Sequence, residues 1–109
     1  MEPISIDDFK KVEITVGEVL SAERIEGSEK LLKLSVNFAE QAPRQVLSGI
    51  AAYFPDPAAL VGKRYPFVTN LAPRTMMGLE SQAMILATGG GEEPFNLFET
   101  GAPAGAKAK

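Results

Sequence analysis

The sequence predicts an all-β fold, a small five-stranded Greek-key barrel with a short helix between the third and fourth strands. Two observations support this prediction. Apolar and polar residues alternate over several short segments, most cleanly at Leu32, Leu34, Val36 and Phe38. A period of two is typical of strands with one buried face. A Pro-rich segment with helix-start and helix-stop residues lies at 55–62, between two of the predicted strands.

The first two strands are predicted from this alternation. Ile14 and Val16 of the first strand alternate with polar residues until Gly17 interrupts the pattern. A glycine inside a strand indicates a bulge or a sharp bend, of the kind that closes a small barrel. In the second strand the alternation places Lys33 on the outer face. One helical turn capped by Ser5 is expected before the first strand.

The remaining elements follow from strand and cap signals. Asp56 is positioned to cap a short helix, Pro57 takes its first position, and Gly62 ends it. An SH3-like barrel also has five strands but normally lacks this helix, so the layout favours an oligonucleotide-binding barrel, the OB fold. The last three strands are predicted at 44–50, 63–71 and 83–88.

Length and hydrophobicity predict one globular domain over 1–109. A chain of 109 residues buries roughly two-thirds of its unfolded surface, which is enough for a single core. The barrel is expected over about 6–88 and a C-terminal extension over about 89–109. No apolar run approaches the roughly 20 residues that a membrane span needs, and the N-terminus lacks the apolar region of a signal peptide. We therefore expect a cytoplasmic protein without membrane contact.

The composition argues against catalysis and metal binding. The chain contains no Cys and no His, which removes thiol nucleophiles, thiolate metal sites and the usual general base. Its adjacent acidic pairs lie in terminal or flexible segments, and its Gly-Gly-Gly run lacks the following Lys of a phosphate loop. We expect a non-enzymatic chain that carries no cofactor.

The net charge of −3 excludes one mode of nucleic-acid binding. Non-specific duplex binders are usually basic, because the release of counterions from neutralised phosphates dominates their affinity. An acidic chain that binds RNA needs a local basic face, with the shape of the RNA providing selectivity.

The most informative segment begins at Asn70. This segment contains Asn-Leu-Ala-Pro-Arg at 70–74 and Met-Gly-Leu-Glu-Ser-Gln-Ala-Met at 77–84. Two earlier segments are also informative, Glu-Gly-Ser-Glu-Lys-Leu-Leu at 26–32 and Arg-Gln-Val-Leu-Ser-Gly-Ile at 44–50. Together these strings resemble the motifs of the bacterial-type tRNA-binding domain. In that family the OB-fold module is appended to methionyl-tRNA synthetase, as its C-terminal or β-subunit domain, or occurs as a free-standing structure-specific tRNA-binding protein.

The resemblance implies that tRNA binds to strands two and three and to the connection between strands four and five. Arg74 is expected to contact phosphate or a base, with Lys30 and Lys33 adding positive charge. Arg44 and Ser48 are expected to share one face of the third strand. The complete expected RNA-binding set is Lys30, Lys33, Arg44, Ser48, Asn70, Arg74, Ser81, Gln82 and Met84.

Structural explanations of the same residues stay open. Val46 is expected on the opposite face of the third strand from Arg44. A solvated loop whose Ser and Asn side chains bond their own backbone would account for the polar cluster. The alternative for Met84 is core packing beside Ile85. Thr75, where the family commonly has Lys, and Ala83, where Gly is usual, predict weaker or altered binding.

The resemblance also implies partners. Family members are homodimers joined through the segment after the barrel, so Phe95, Leu97 and Phe98 are expected at a dimer interface, since a small barrel has little further core to offer them. The implied role is recognition of tRNA shape with little sequence specificity, as an appended or trans-acting domain of a methionyl-tRNA synthetase catalytic domain. Two alternatives are a peptide-binding secretion chaperone with the same dimeric barrel, and a domain that only dimerises a larger synthetase.

Overall fold

The computed structural model describes residues 1–109 and confirms the all-β barrel. One helical turn, α1 (Ile6–Phe9), precedes the strands and is capped by Ser5 as predicted. The strands are β1 (Ile14–Arg24), β2 (Leu32–Asn37), β3 (Arg44–Ser48), β4 (Arg64–Val68), β5 (Arg74–Met76), β6 (Leu79–Ser81), β7 (Met84–Ile85), β8 (Ala87–Gly90) and β9 (Glu93–Leu97). Five of them form one antiparallel sheet in the order β3-β2-β1-β4-β7, while β5–β6 and β8–β9 are separate hairpins.

The barrel is nearly closed where β3 meets the segment between β6 and β7. Gln82 donates its backbone N–H to the Gln45 carbonyl at 2.8 Å, and the Gln45 N–H donates to the Gln82 side-chain oxygen at 2.9 Å. The first strand pairs with both β2 and β4, so the sheet curls from β3 round to β7. This is the five-stranded arrangement of an OB fold.

The irregularity of the first strand lies at a different place from the one predicted. Gly17 pairs in register with Tyr65, and the shift in register lies later, between Val19 and Ser21. Glycine is nevertheless required at position 17, because a Cβ there would lie 2.4 Å from Cγ1 of Val36. The interruption in the pattern therefore marks a close approach of β1 to β2 and not a bulge.

The core follows the predicted alternation of the second strand. Leu32, Leu34 and Val36 of β2 point into the barrel and are fully buried. Phe38, just after β2, packs edge-to-face against Phe67 of β4, with ring centroids 5.1 Å apart. Lys33 consequently lies on the outer face, as the alternation predicted.

The predicted helix between the third and fourth strands is a single 3₁₀ turn, Pro57–Leu60. The Asp56 carboxylate accepts a hydrogen bond from the Ala58 N–H at 3.1 Å, which confirms the predicted cap. Leu60 is buried in the barrel core. None of the helices has the length and apolar character needed to cross a membrane.

The extension after the barrel packs on the barrel. Phe95 of β9 stacks on Tyr53 with ring centroids 4.1 Å apart, and both Phe95 and Leu97 pack against the core. The barrel was expected to have little further core to offer these side chains, but Phe95 and Leu97 both find partly buried positions on it. Phe98 is different, because it stays 46% exposed.

The C-terminal tail adds a further pairing to the first strand. The Gly105 N–H donates to the Val16 carbonyl at 2.8 Å, and the Ala108 N–H donates to the Ile14 carbonyl at 2.9 Å. The ammonium nitrogen of Lys107 lies 3.4 Å from a carboxylate oxygen of Glu13. The tail thus covers the edge of β1 that β2 leaves unpaired.

Candidate nucleic-acid interface

The outer face of β2 and β3 carries a polar groove of about 340 Å³, which we name the Lys33 groove. The structure brings Lys33 and Arg44 together in this groove, whereas Ser48 does not line it. Ser35 is a groove residue that the sequence analysis missed, although the alternation that places Lys33 outward also places Ser35 outward. The other polar residues along the groove are Ser21, Gln45 and Gln82.

Lys33 is paired with an acid of the neighbouring strand. Its ammonium nitrogen lies 2.8 Å from a carboxylate oxygen of Glu23, which is its registered partner on β1. The Glu23 side chain is 60% exposed, and exposed ion pairs of this kind contribute little and are screened by salt. Lys33 can therefore exchange this carboxylate for a phosphate at small cost.

Arg44 is bound within the chain more tightly. Two of its guanidinium nitrogens donate to the two Glu40 carboxylate oxygens, both at 2.8 Å. A third donates to the carbonyls of Thr69 at 2.7 Å and Gln82 at 3.1 Å. The hydrogen bonds between Arg44 and Glu40 raise the pKa of Arg44 and lower the pKa of Glu40. Arg44 thus joins β3 to the ends of β4 and β6, with little donor capacity left for phosphate.

The expected face of the third strand needs one correction. Val46 was expected opposite Arg44 and Ser48, but alternate residues of a strand share a face. Val46 lies between them on the same side and is fully buried, while Arg44 and Ser48 are half-buried at the two ends of β3. The Arg44 guanidinium covers the Phe38 ring at 5.4 Å. The strand therefore presents the rim of the core at these positions, not an open outer face.

Three of the polar residues expected in the RNA-binding set form hydrogen bonds within the chain. Asn70 accepts from the Glu13 N–H at 2.8 Å and donates to the Lys11 carbonyl at 2.6 Å. The buried Ser81 hydroxyl accepts from the Leu47 N–H at 3.0 Å. Gln82 closes the barrel against β3 through the hydrogen bonds described above. Their hydrogen bonds hold the connection between β4 and β7 in place.

Arg74 lies on a hairpin that the sequence analysis expected as a loop. β5 and β6 are joined by Met77 and Gly78, whose φ angles are +50° and +77°. Two consecutive residues with positive φ are typical of a type I′ hairpin turn, in which glycine is common. Arg74 opposes Ser81 in the register of this hairpin. Arg74 is exposed, and it forms no ion pair or side-chain hydrogen bond within the chain.

A second hollow, of about 70 Å³, lies between this hairpin and β3. Arg74 is its one charged lining residue, and its walls are apolar apart from Arg74 and Ser81. Met84 lines it and is 46% exposed, so Met84 does not pack in the core as the alternative proposed. We name this the Met84 hollow.

Lys30 lies outside both hollows. It is exposed in the connection between β1 and β2 and forms no ion pair. Its carbonyl accepts a hydrogen bond from the Ala51 N–H at 3.0 Å, which fixes its backbone beside the end of β3. The cations expected to form one groove are therefore spread over three places, with Lys33 and Arg44 together and Arg74 and Lys30 separate.

Comparison with known proteins places this geometry in context. A family model described as "Putative tRNA binding domain" matches residues 14–107. The chain is 45% identical over 96 residues to a methionine–tRNA ligase of Enterococcus faecalis; the match covers 88% of this chain and 14% of the ligase. The chain therefore spans about a seventh of this curated relative.

Solved structures share the whole fold. The crystal structure of a MetRS-related protein from Pyrococcus horikoshii superposes with a TM-score of 0.91 at 36% identity, covering 100% of both chains. The chaperone CsaA of Bacillus anthracis superposes with a TM-score of 0.85, covering 99% of this chain and 100% of CsaA. Its identity is 22%, so this second likeness concerns the fold alone.

Proposed function

Since this chain belongs to the tRNA-binding domain family, we propose that it binds tRNA on the barrel face that carries the Lys33 groove and the Arg74 hairpin. One observation carries the choice of face. Arg74 is an exposed cation without an intramolecular partner, and it lines a hollow whose Ser81 is followed in the chain by Gln82 of the groove that contains Lys33. In a chain with a net charge of −3, such a local site can bind phosphate where the surface as a whole would repel it.

The proposed contacts fall into two groups. Arg74 and Lys33 bind phosphates on this face. Lys30 and Ser48 lie outside the groove, near the end of β3, where Lys30 binds a further phosphate and the Ser48 hydroxyl donates a hydrogen bond. Met84 offers an apolar surface. The remaining members of the expected set act by positioning the contact residues, because their polar groups are already bonded within the chain; they are Arg44, Asn70, Ser81 and Gln82.

The proposed biological role is that of a non-catalytic module. It raises the affinity of a methionyl-tRNA synthetase for tRNA, either as an appended domain or in trans, in the cytoplasm. The relation to methionine–tRNA ligases, of which the matched segment is a small part, supports this role. Scarce exposed aromatic rings favour recognition of folded RNA shape over stacking along a single strand.

Direct binding of tRNA tests the proposal. Unfractionated tRNA is titrated by fluorescence anisotropy from low to physiological salt, with a duplex RNA of equal length as competitor. Three phosphate contacts give a slope of log K against log salt of roughly −2 to −3. Preference for tRNA that survives physiological salt supports shape recognition, whereas no binding at low salt contradicts the proposal.

Charge reversal at one position locates the interface. Arg74→Glu is expected to weaken tRNA binding by roughly 10- to 100-fold, the range for loss of one charge-assisted hydrogen bond. Lys10→Glu is the matched control, since Lys10 is an exposed lysine of the turn that ends α1 and lines neither the Lys33 groove nor the Met84 hollow. Equal losses in the two variants would contradict the proposed face.

We also propose that the chain forms a homodimer through its C-terminal extension, with Phe98 as the main contact. Phe95 and Leu97 pack in part on their own barrel, so only Phe98 is free to contact a second copy without loss of core. Phe98→Ser is expected to convert the dimer into a folded monomer, measured by sedimentation and circular dichroism. A dimer that persists in this variant would exclude Phe98 from the interface.

A further inference from the structure

The Met84 hollow has exposed apolar walls that nothing in the chain covers. Leu71 is 49% exposed and Met84 is 46% exposed, and both side chains line the hollow. The half-buried Met76 adds a third flexible wall. Exposed apolar side chains gathered around one concavity point to a binding site, and methionine side chains can adjust to the shape of an occupant.

The polar groups of the hollow restrict what it can bind. The Ser81 hydroxyl is engaged within the chain, accepting from the Leu47 N–H and donating its proton to the Ala83 carbonyl at 3.1 Å. Arg74 is the one remaining polar side chain, and it has no partner in the chain. The hollow thus offers apolar contact and a single positive charge. This pairing matches a nucleotide, which has an apolar base face and an anionic phosphate.

The hollow adjoins the Lys33 groove through consecutive residues. Ser81 lines the hollow and Gln82 lines the groove. The two sites differ in character, because six of the eight groove residues have polar side chains, whereas six of the eight hollow residues have apolar ones. An RNA backbone that follows the groove would therefore bring a neighbouring base to the apolar hollow.

We infer that the Met84 hollow is a subsite for one unpaired RNA base, held between Leu71 and Met84, with Arg74 at the phosphate of the same nucleotide. This inference rests on the proposed tRNA binding and names the part of the RNA that this site takes. The hollow is small, with a volume of about 70 Å³, so it accommodates the face or edge of a single base. Arg74 is the one lining side chain with a free donor, so the hollow is expected to select an unpaired base with little preference for its identity.

Two hairpin RNAs test the subsite. They share one duplex stem, and one ends blunt while the other carries a short single-stranded 3′ extension with a 2-aminopurine probe. The wild-type chain is expected to bind the extended hairpin about tenfold more tightly, within the range for one stacked base. Its 2-aminopurine should be protected from acrylamide quenching, and the other bases at that position should give affinities within about threefold.

Substitutions at the walls then assign the effect to the hollow. Met84→Ser and, as a second variant, Leu71→Ser are expected to reduce the tenfold preference to near unity, because each removes a wall that contacts the base of the extension. Met77→Ser is the matched control, because Met77 is an exposed methionine of the same hairpin that does not line the hollow. It should keep the full preference.

Each contrary outcome has a distinct meaning. Equal binding of blunt and extended hairpins by the wild type overturns the subsite and leaves tRNA binding standing. Failure to bind either hairpin or tRNA overturns both. If an apolar peptide binds instead, and Met84→Ser abolishes that binding without changing the RNA preference, the hollow is a peptide site and the base assignment is overturned.

Discussion

Replacing Ser81 by Ala removes the tie that holds the Arg74 hairpin against the barrel. Ser81 is only 6% exposed. Its hydroxyl accepts a hydrogen bond from the Leu47 N–H at 3.0 Å and donates one to the Ala83 carbonyl at 3.1 Å. Alanine supplies neither group. The variant therefore leaves a buried N–H and a buried carbonyl without these hydrogen bonds.

The size of the effect follows from this loss. A buried polar group without its partner costs about 1–3 kcal/mol, and removal of a single oxygen creates little cavity to add to it. We expect the free energy of unfolding of Ser81→Ala to fall by about 2 kcal/mol. At roughly 4 °C per kcal/mol for a domain near 100 residues, Tm falls by about 8 °C.

Urea unfolding followed by circular dichroism measures this change, because the chain has no Trp to report by fluorescence. The m-value should stay constant, since the surface exposed on unfolding is unchanged. Ser35→Ala is the matched control, because Ser35 is half-buried but lines the open Lys33 groove; its effect should stay within about 0.5 kcal/mol. Equal stability of the two variants would refute the role assigned to Ser81.

Two further predictions concern packing and pH. Gly17→Ala places a Cβ 2.4 Å from a core valine and should lower the free energy of unfolding by about 1–3 kcal/mol, measured by urea unfolding. The pKa values of Glu13 and Glu40 lie below their ordinary value of 4.5, chiefly because of hydrogen bonds from the Thr69 hydroxyl and the Arg44 guanidinium. Lowered carboxyl pKa values stabilise the fold above pH 4.5, and this contribution is lost as pH falls through the folded-state pKa values. Stability measured from pH 6 to pH 3 should therefore decline below 4.5, and less steeply in Glu40→Gln; identical profiles would contradict the assignment.

Local patterns in the sequence were sufficient for much of the barrel. The alternation in β2 predicted which side chains are buried and that Lys33 points outward, because a strand alternates its faces whatever its neighbours are. Ser5 and Asp56 predicted two helix starts correctly, since a cap depends on residues two or three positions away. The family was also visible in short strings of residues.

Other features depended on contacts between distant segments. The β5–β6 hairpin was expected as a loop, because Met77 is not a residue that favours positive φ and only Gly78 marks the turn. Leu97 was assigned to an interface because no local signal shows that it packs on its own barrel. The Met84 hollow could not be foreseen, because its walls come from β3, from β5 and the segment before it, and from the end of β6 through the start of β7.

The difference between what the sequence determines and what the tertiary structure determines is clearest for two cationic side chains, Arg44 and Arg74. The residue types and their order identify a tRNA-binding domain, and the same strings led to the expectation that both Arg44 and Arg74 bind RNA. Tertiary structure distinguishes these two arginines. The acceptors around Arg44 come from segments up to 38 positions away and engage its guanidinium inside the fold, whereas Arg74 is left free on an exposed hairpin. A charge is available to a ligand only where folding leaves it without a partner, and that depends on distances between segments that no local pattern encodes.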